Sequence, residues 1–258
     1  MQLARFWRHL RYHREIIKHI RWTRMDRTRL EFYRTLVGPE SLVFDIGANM
    51  GNRSKVFREL GARVVAFEPQ SYCADFLAAA FSGDSAFTLD RSALSDEEGE
   101  KPMFIGQAHT LSTLDTEWIS KMANGGRFTT HEWNTRETVQ VTTLDNAIRR
   151  YGVPVFMKID VEGHEYGVLK GLHQPVNMLS LEFASESLDN MYRCIDHLEA
   201  LACYEYRLSL GESMRFEDTG WLDAPGIKSY LERTCEQDPL AWGDIYARLR
   251  QTGNGTPA

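Results

Sequence analysis

Cysteine is scarce. Four residues in 258 (Cys73, Cys194, Cys203 and Cys235) lie scattered, without a CxxC pair or any metal-ligand spacing. That argues against a disulfide scaffold or a zinc-ribbon module and fits a cytoplasmic chain with ordinary thiols. Long apolar runs are also missing; none approaches the ~20 residues that a spanning helix needs. No charged, apolar and small-residue order reads as a secretory leader. Internal repeats and low-complexity segments are absent as well. Basic charge is lacking over most of the chain. Residues 1–36 hold ten Lys/Arg against three acids, so a formal net charge of −6 leaves −13 on the remainder. Binding a phosphate backbone generally needs a basic face, so the main body is a poor nucleic-acid binder.

What is present is one sizeable globular domain's worth of residues, 43% of them hydrophobic, with a basic head. In "MQLARFWRHLRYHREIIKHIRW", Leu3, Phe6, Leu10, Ile17 and Ile20 fall at helical spacings among arginines. Two readings stand: an interfacial helix lying on an anionic membrane surface through residues 1–24, or a terminal helix docked on its own domain. A start at Met25 is a third.

From Ser41 the chain alternates. "SLVFDI", "ARVVAFE" and "SAFTLDRSAL" read as strands, and "GNRSKVFREL" and "SYCADFLAAAF" as the helices between them. This spacing indicates βαβ units and a parallel sheet with helices on both faces. Farther on, "PVFMKID" and "NMLSLEF" read as strands, with "TTLDNAIRRYG", "EYGVLKGL" and "ESLDNMYRCIDHLEALA" as helices. Between the short strands "MFIG" and "TVQVTTL" lies a polar-aromatic excursion with Gly125 and Gly126 as a hinge signal. A connection of that length in a compact domain is usually functional or disordered. "SDEEGEKP" reads as a turn, "YEYRLSL" and "SMRFED" as a hairpin, and "WGDIYARL" as a final strand or helix.

"LVFDIGANMGNRS" places an acid, Asp45, directly before a glycine turn. In the dinucleotide fingerprint GxGxxG the second glycine admits a pyrophosphate. Here Asn49 and Asn52 replace the second and third glycines. Asp45 would repel two phosphates but would attract an ammonium. S-adenosylmethionine offers that ammonium, and its carboxylate suits the N-terminus of the following helix. The next strand ends in Glu68, 21 residues after Gly47, where an acid typically accepts hydrogen bonds from ribose hydroxyls.

"FDIGANMGNRS", "VVAFEPQ", "SALSDEEGE", "VTTLD", "MKIDVEGHEYGVLKGL" and "LSLEF" resemble FkbM-type methyltransferases in content and order, over about residues 41–184. The resemblance implies a class I, Rossmann-like α/β fold with seven strands, the seventh antiparallel. It also implies S-adenosylmethionine as cofactor and methyl transfer to a hydroxyl, commonly of a sugar, glycan or secondary metabolite. Residues 1–36 then form a basic helical extension and 37–258 the methyltransferase domain. Asp45, Gly47, Asn49, Gly51, Asn52, Glu68, Ser92, Ala93 and Asp160 are the cofactor-binding candidates. The head and residues 106–136 do not match recognisably, which leaves acceptor choice open.

"KIDVEGHE" packs Lys158, Asp160, Glu162, His164 and Glu165 together. A parallel strand delivers its C-terminal end to the cofactor crevice, so Asp160 belongs near the methyl group. Glu182, ending the next strand, faces the same crevice. An alcohol must lose a proton when methylated, and Asp160, His164 and Glu182 are the candidate bases. Glu162 and Glu165 read equally as first-turn acids of the following helix. Acids grouped in this way can hold Mg²⁺, but no ligand spacing requires it and no metal is expected. Trp118, Phe128, His131 and Trp133 are candidates for an aromatic wall beside a small-molecule or glycan acceptor. Two rivals stand: an NAD-linked oxidoreductase, against which Asp45 and Asn49 count, and a non-catalytic protein that keeps the fold.

Overall fold

A computed structural model describes residues 21–124 and 130–250. The amphipathic reading of residues 1–20, and Gly125, Gly126 and Phe128, lie outside the described residues. Ten strands and eight α-helices follow one another in the described chain. Helix α1 (Arg24–Tyr33) starts at a capping box, in which Thr23 and Asp26 each bond the other's backbone amide. Strand β1 (Leu42–Ile46) leads into helix α2 (Asn52–Glu59). Strand β2 (Arg63–Phe67), helix α3 (Ser71–Ala80) and strand β3 (Phe87–Asp90) complete the first βαβαβ half.

Strands β4 (Ala93–Leu94), β5 (Gly99–Ile105) and β6 (Thr135–Thr142) form a small second sheet in the order β4-β6-β5. Helix α4 (Thr116–Asn124) stands in the excursion between β5 and β6. The chain continues through helix α5 (Leu144–Tyr151), strand β7 (Phe156–Ile159), helix α6 (Glu165–Lys170), strand β8 (Met178–Ala184) and helix α7 (Leu188–Leu201). Strand β9 (Tyr204–Leu210), helix α8 (Ala224–Gln237) and strand β10 (Trp242–Leu249) close it.

The main sheet has the order β3-β2-β1-β7-β8-β10-β9. Its first five strands run parallel, and β10 lies antiparallel between β8 and β9. This is the expected class I arrangement, with the last strand reversed. β1 is buried along its whole length. Phe44 and Ile46 join a core with Ile159, Leu181 and Leu198, while Val43 joins one with Phe57, Phe156 and Tyr246. Both faces are therefore covered, the usual condition of a parallel sheet. α1 belongs to the second core: Tyr33 is fully buried and stacks edge-on against Phe57, and Lys55 on α2 pairs with Asp26 at 2.9 Å. Among the described residues no helix is long and apolar enough to cross a membrane.

Three local expectations need correction. Residues 213–218 make no strand; β9 pairs instead with β10, which settles the final segment as a strand. The supposed turn at 95–102 contains the start of β5, which runs from Gly99 because β6 offers it a partner down to Val141. The third strand and its exit divide into β3 in the main sheet and β4 in the small one. α8 is an addition; Asp223 caps it through the Gly226 amide at 2.9 Å.

Candidate active site

The parallel strands end together at one edge, where a cavity of about 320 Å³ opens. Asp45, Gly47, Asn49, Asn52, Glu68, Ser92, Ala93 and Asp160 all line it, as do His164 and Glu182. Of the cofactor-binding candidates, Gly51 alone is not in this lining. Its φ is +74°, and a Cβ there would stand 2.6 Å from Leu77 Cδ2. Gly51 therefore lets α2 pack against α3 and does not face a ligand.

Gly47 is different. Its φ is +78°, and a Cβ would overlap the carbonyl oxygen of Asp160, so the turn and the end of β7 touch backbone to backbone. Asn49, at φ +50°, donates its amide to Glu68 Oε2 at 2.7 Å, and Gln70 donates to Oε1 at 2.8 Å. Each oxygen keeps a lone pair for a further donor. Burial pushes the Glu68 carboxyl up to about 7, against the pull of those two amides. Asp45 accepts from Ser54 Oγ at 2.5 Å, and burial raises its pKa too. A ligand bringing a cation and hydroxyls to this cavity would favour the charged form of both acids. That donor set fits S-adenosylmethionine.

On the opposite side β7 and β8 pair through Ile159 and Leu181. Asp160 and Glu182 follow one residue later on each strand. Lys158, almost fully buried, donates to Asp160 Oδ2 at 3.1 Å and to Asp244 Oδ1 at 2.9 Å. Burial works to raise the Asp160 pKa, but the charges of Lys158 and Arg53 outweigh it and hold the carboxyl low. Glu182 goes the other way: burial first, then the charge of Asp160, push it well above the carboxylate range. The two acids titrate as a coupled pair, with the proton favoured on Glu182.

Asp160, Glu162 and Glu182 bring carboxylate oxygens within 4.8 Å of one another. Such a set suits a divalent cation; here the ammonium of Lys158 already takes Asp160 Oδ2.

His164 Nε2 lies 3.0 Å from Ser95 Oγ, and its ring is pressed against Gly167. Burial lowers its pKa. Glu165 is buried and accepts from the amides of Val161 and Gly163 and from Asn190 Nδ2. It is the expected first-turn acid of α6, and through these bonds it also braces the 160–164 turn. Of the aromatic candidates, Trp118 and His131 line a neighbouring cavity. Trp133 stands behind Trp118, its Nε1 donating to the Leu111 carbonyl at 2.6 Å.

Sequence reasoning gave no role to Arg29, Arg53, Gln70, Thr110, Glu212 and Trp242, which also line the main cavity. Arg53 stood in the quoted motif, one place after Asn52. Glu212 sat in a segment read as part of a hairpin and carried no signal.

The family described as the methyltransferase FkbM domain matches residues 45–198, more than half of the chain. No curated protein sequence matches. Among solved structures, precorrin-6y C5,15-methyltransferase from Geobacter metallireducens GS-15 is 11% identical over 87% of each chain, with a TM-score of 0.46. An O-methyltransferase from Bacillus cereus in complex with SAH is 11% identical, over 93% of this chain and 90% of that one, with a TM-score of 0.45. A TehB-like SAM-dependent methyltransferase from Corynebacterium glutamicum is 7% identical over 95% and 98%, with a TM-score of 0.44. The family match sets aside both the NAD-linked oxidoreductase and the non-catalytic protein. The chain belongs to the FkbM methyltransferase family and is an enzyme that uses S-adenosylmethionine.

Proposed function

We propose that the enzyme methylates a hydroxyl of a sugar, glycan or similar polyol held in a second cavity beside the first. That cavity is about 430 Å³. The observation that carries the reading is the shared wall: Thr110, Glu162, Glu182 and Trp242 line both cavities. An acceptor in the second cavity would face the cofactor cavity across carboxylates. Leu111, Trp118 and Met122 give the second cavity an apolar side, and Ser187, Asn190 and His131 add polar groups. One apolar and one hydrogen-bonding face suit a pyranose ring.

When bound, S-adenosylmethionine supplies a methyl group on a positively charged sulfur, a leaving group that needs no acid. The protein's own work is alignment and removal of the acceptor's proton. Gly47, Asn49 and Glu68 would hold the nucleoside end. Asp160, kept ionised by Lys158, lines the first cavity only and would orient a hydroxyl that reaches into it past Glu182; the proton would pass to the Asp160–Glu182 pair as a unit. His164, bonded to Ser95, holds the turn that presents them.

Neutral oligosaccharides, phosphosugars, protein and RNA offered with methyl-labelled cofactor test this. Label should enter the neutral glycans in alkali-stable ether linkage and survive prior treatment with chelator. Label confined to alkali-labile esters or to amines would overturn the reading. Loss with chelator and recovery with Mg²⁺ would make the three acids metal ligands.

A further inference from the structure

We propose that Arg29 and Arg53 form a clamp for the carboxylate at the amino-acid end of the cofactor. Both line the same cavity as Asp45, yet they come from separate helices, α1 and α2. Glu212 holds them side by side. Its Oε2 accepts from Arg29 Nε at 3.3 Å and Nη2 at 3.1 Å, and its Oε1 accepts from Arg53 Nη2 at 2.8 Å. Two cations thus share the Glu212 carboxylate, and Arg29 Nη1 also reaches Asp26 Oδ1 at 3.5 Å. Among the described residues Arg53 Nε is buried and has no hydrogen-bond partner, a costly state for a charged donor. Gly51 caps α2 without a side-chain bond, so the first turn of that helix adds positive potential at the same end. Asp45 accepts from Ser54, the residue after Arg53 on α2, at 2.5 Å. A group carrying both an ammonium and a carboxylate meets an acid and two guanidinium groups there, each charge facing its opposite.

The clamp makes α1 part of the cofactor site, although it precedes the first strand. A purely structural role, pinning α1 to the 210–216 segment, predicts a different outcome on binding. The test is titration calorimetry on the full chain with two ligands: S-adenosylhomocysteine, and its decarboxylated analogue, which keeps the nucleoside, sulfur and amine. Wild-type protein should prefer the first by about 10- to 100-fold, the span of hydrogen bonds to charged groups. Arg53→Gln and Arg29→Gln should each erode that preference while leaving the decarboxylated ligand within about twofold. Glu212→Gln, which leaves both guanidiniums less neutralised, should raise it. Equal wild-type affinity for the two ligands overturns the clamp, and so does equal weakening of both by Arg53→Gln. If Arg53→Gln fails to fold, Arg29→Gln and Glu212→Gln decide between the same outcomes. A wild type that binds neither ligand would instead overturn the cofactor assignment.

Discussion

On the β1–β2 side of the crevice the acids answer to neighbours close in the chain: Asp45 to Ser54, Glu68 to the amides of Asn49 and Gln70. On the β7–β8 side Lys158 reaches 86 residues along the chain to Asp244, and Asp160 is balanced against Glu182 from another strand. The first side is a cradle whose hydrogen bonds are fixed before any ligand arrives. The second is a set of opposed charges in which removing one member changes the protonation of the rest. On the proposed roles, binding and chemistry should be separable by mutation.

The largest effect should come from the charged side. Asp160→Asn keeps the shape but removes the ionised member, and turnover should fall by about 10²–10⁴-fold, the usual contribution of a positioned base. Affinity for S-adenosylhomocysteine should change little. Glu182→Gln should cost a similar factor, and the double variant little more than either, because the two act as one unit. Additive losses in rate would break the pair into independent residues.

A smaller effect is expected on the cradle side, and it carries a pH signature. On the proposed role the ionised Glu68 is the stronger acceptor for ribose hydroxyls, while burial raises its pKa to about 7. Binding must therefore expel a proton below that pH. Affinity for S-adenosylhomocysteine should rise with pH up to about 7 and level off above it. Glu68→Ala should weaken binding by about 1.5–3 kcal/mol and abolish the pH dependence while the protein stays folded. The same raised pKa gives a stability trend of opposite sign. The folded state holds the proton between about 4.5 and 7 where the unfolded chain does not, so Glu68 makes the ligand-free protein less stable as pH rises through that window. Calorimetric affinities that stay flat from pH 6 to 8 would remove Glu68 from the ribose.

The smallest effect belongs to His164→Ala. The imidazole is tied to Ser95 and burial favours its neutral form, so it supports the turn. A loss of stability of about 1 kcal/mol, the value of one hydrogen bond, and a modest loss of rate should follow. A rate loss exceeding that of Asp160→Asn would reverse the assignment and make the imidazole the base.

The same contrast explains what was legible in the sequence. Asp45, Gly47, Asn49 and Glu68 were readable because their spacing along a strand–turn–helix–strand path dictates their placing. Asp160 and Glu182 could be assigned to one edge because both end parallel strands. Their opposite protonation could not be read, since it depends on Lys158, buried between Asp160 and Asp244. The supposed hairpin failed because strand pairing is long-range: the partner of Leu210 is Gly243. α8 was overlooked although Asp223 and Pro225 form a start signal; proline is well tolerated in a helix's first turn. Arg29 and Glu212 meet only through tertiary structure, across 183 residues.

The turn at 160–164 has a close neighbour on each side. Gly47 lies so near the Asp160 carbonyl that a methyl group would not fit between them, and Gly163 stands in the same relation to the ring of Trp118. Gly47 lines the main cavity and Trp118 the adjoining one. The turn thus works as a spacer of fixed thickness, with main chain pressed on both surfaces. The separation of the two cavities at this turn is a property of the backbone, and a side chain added at either glycine would displace the turn or the Trp118 ring.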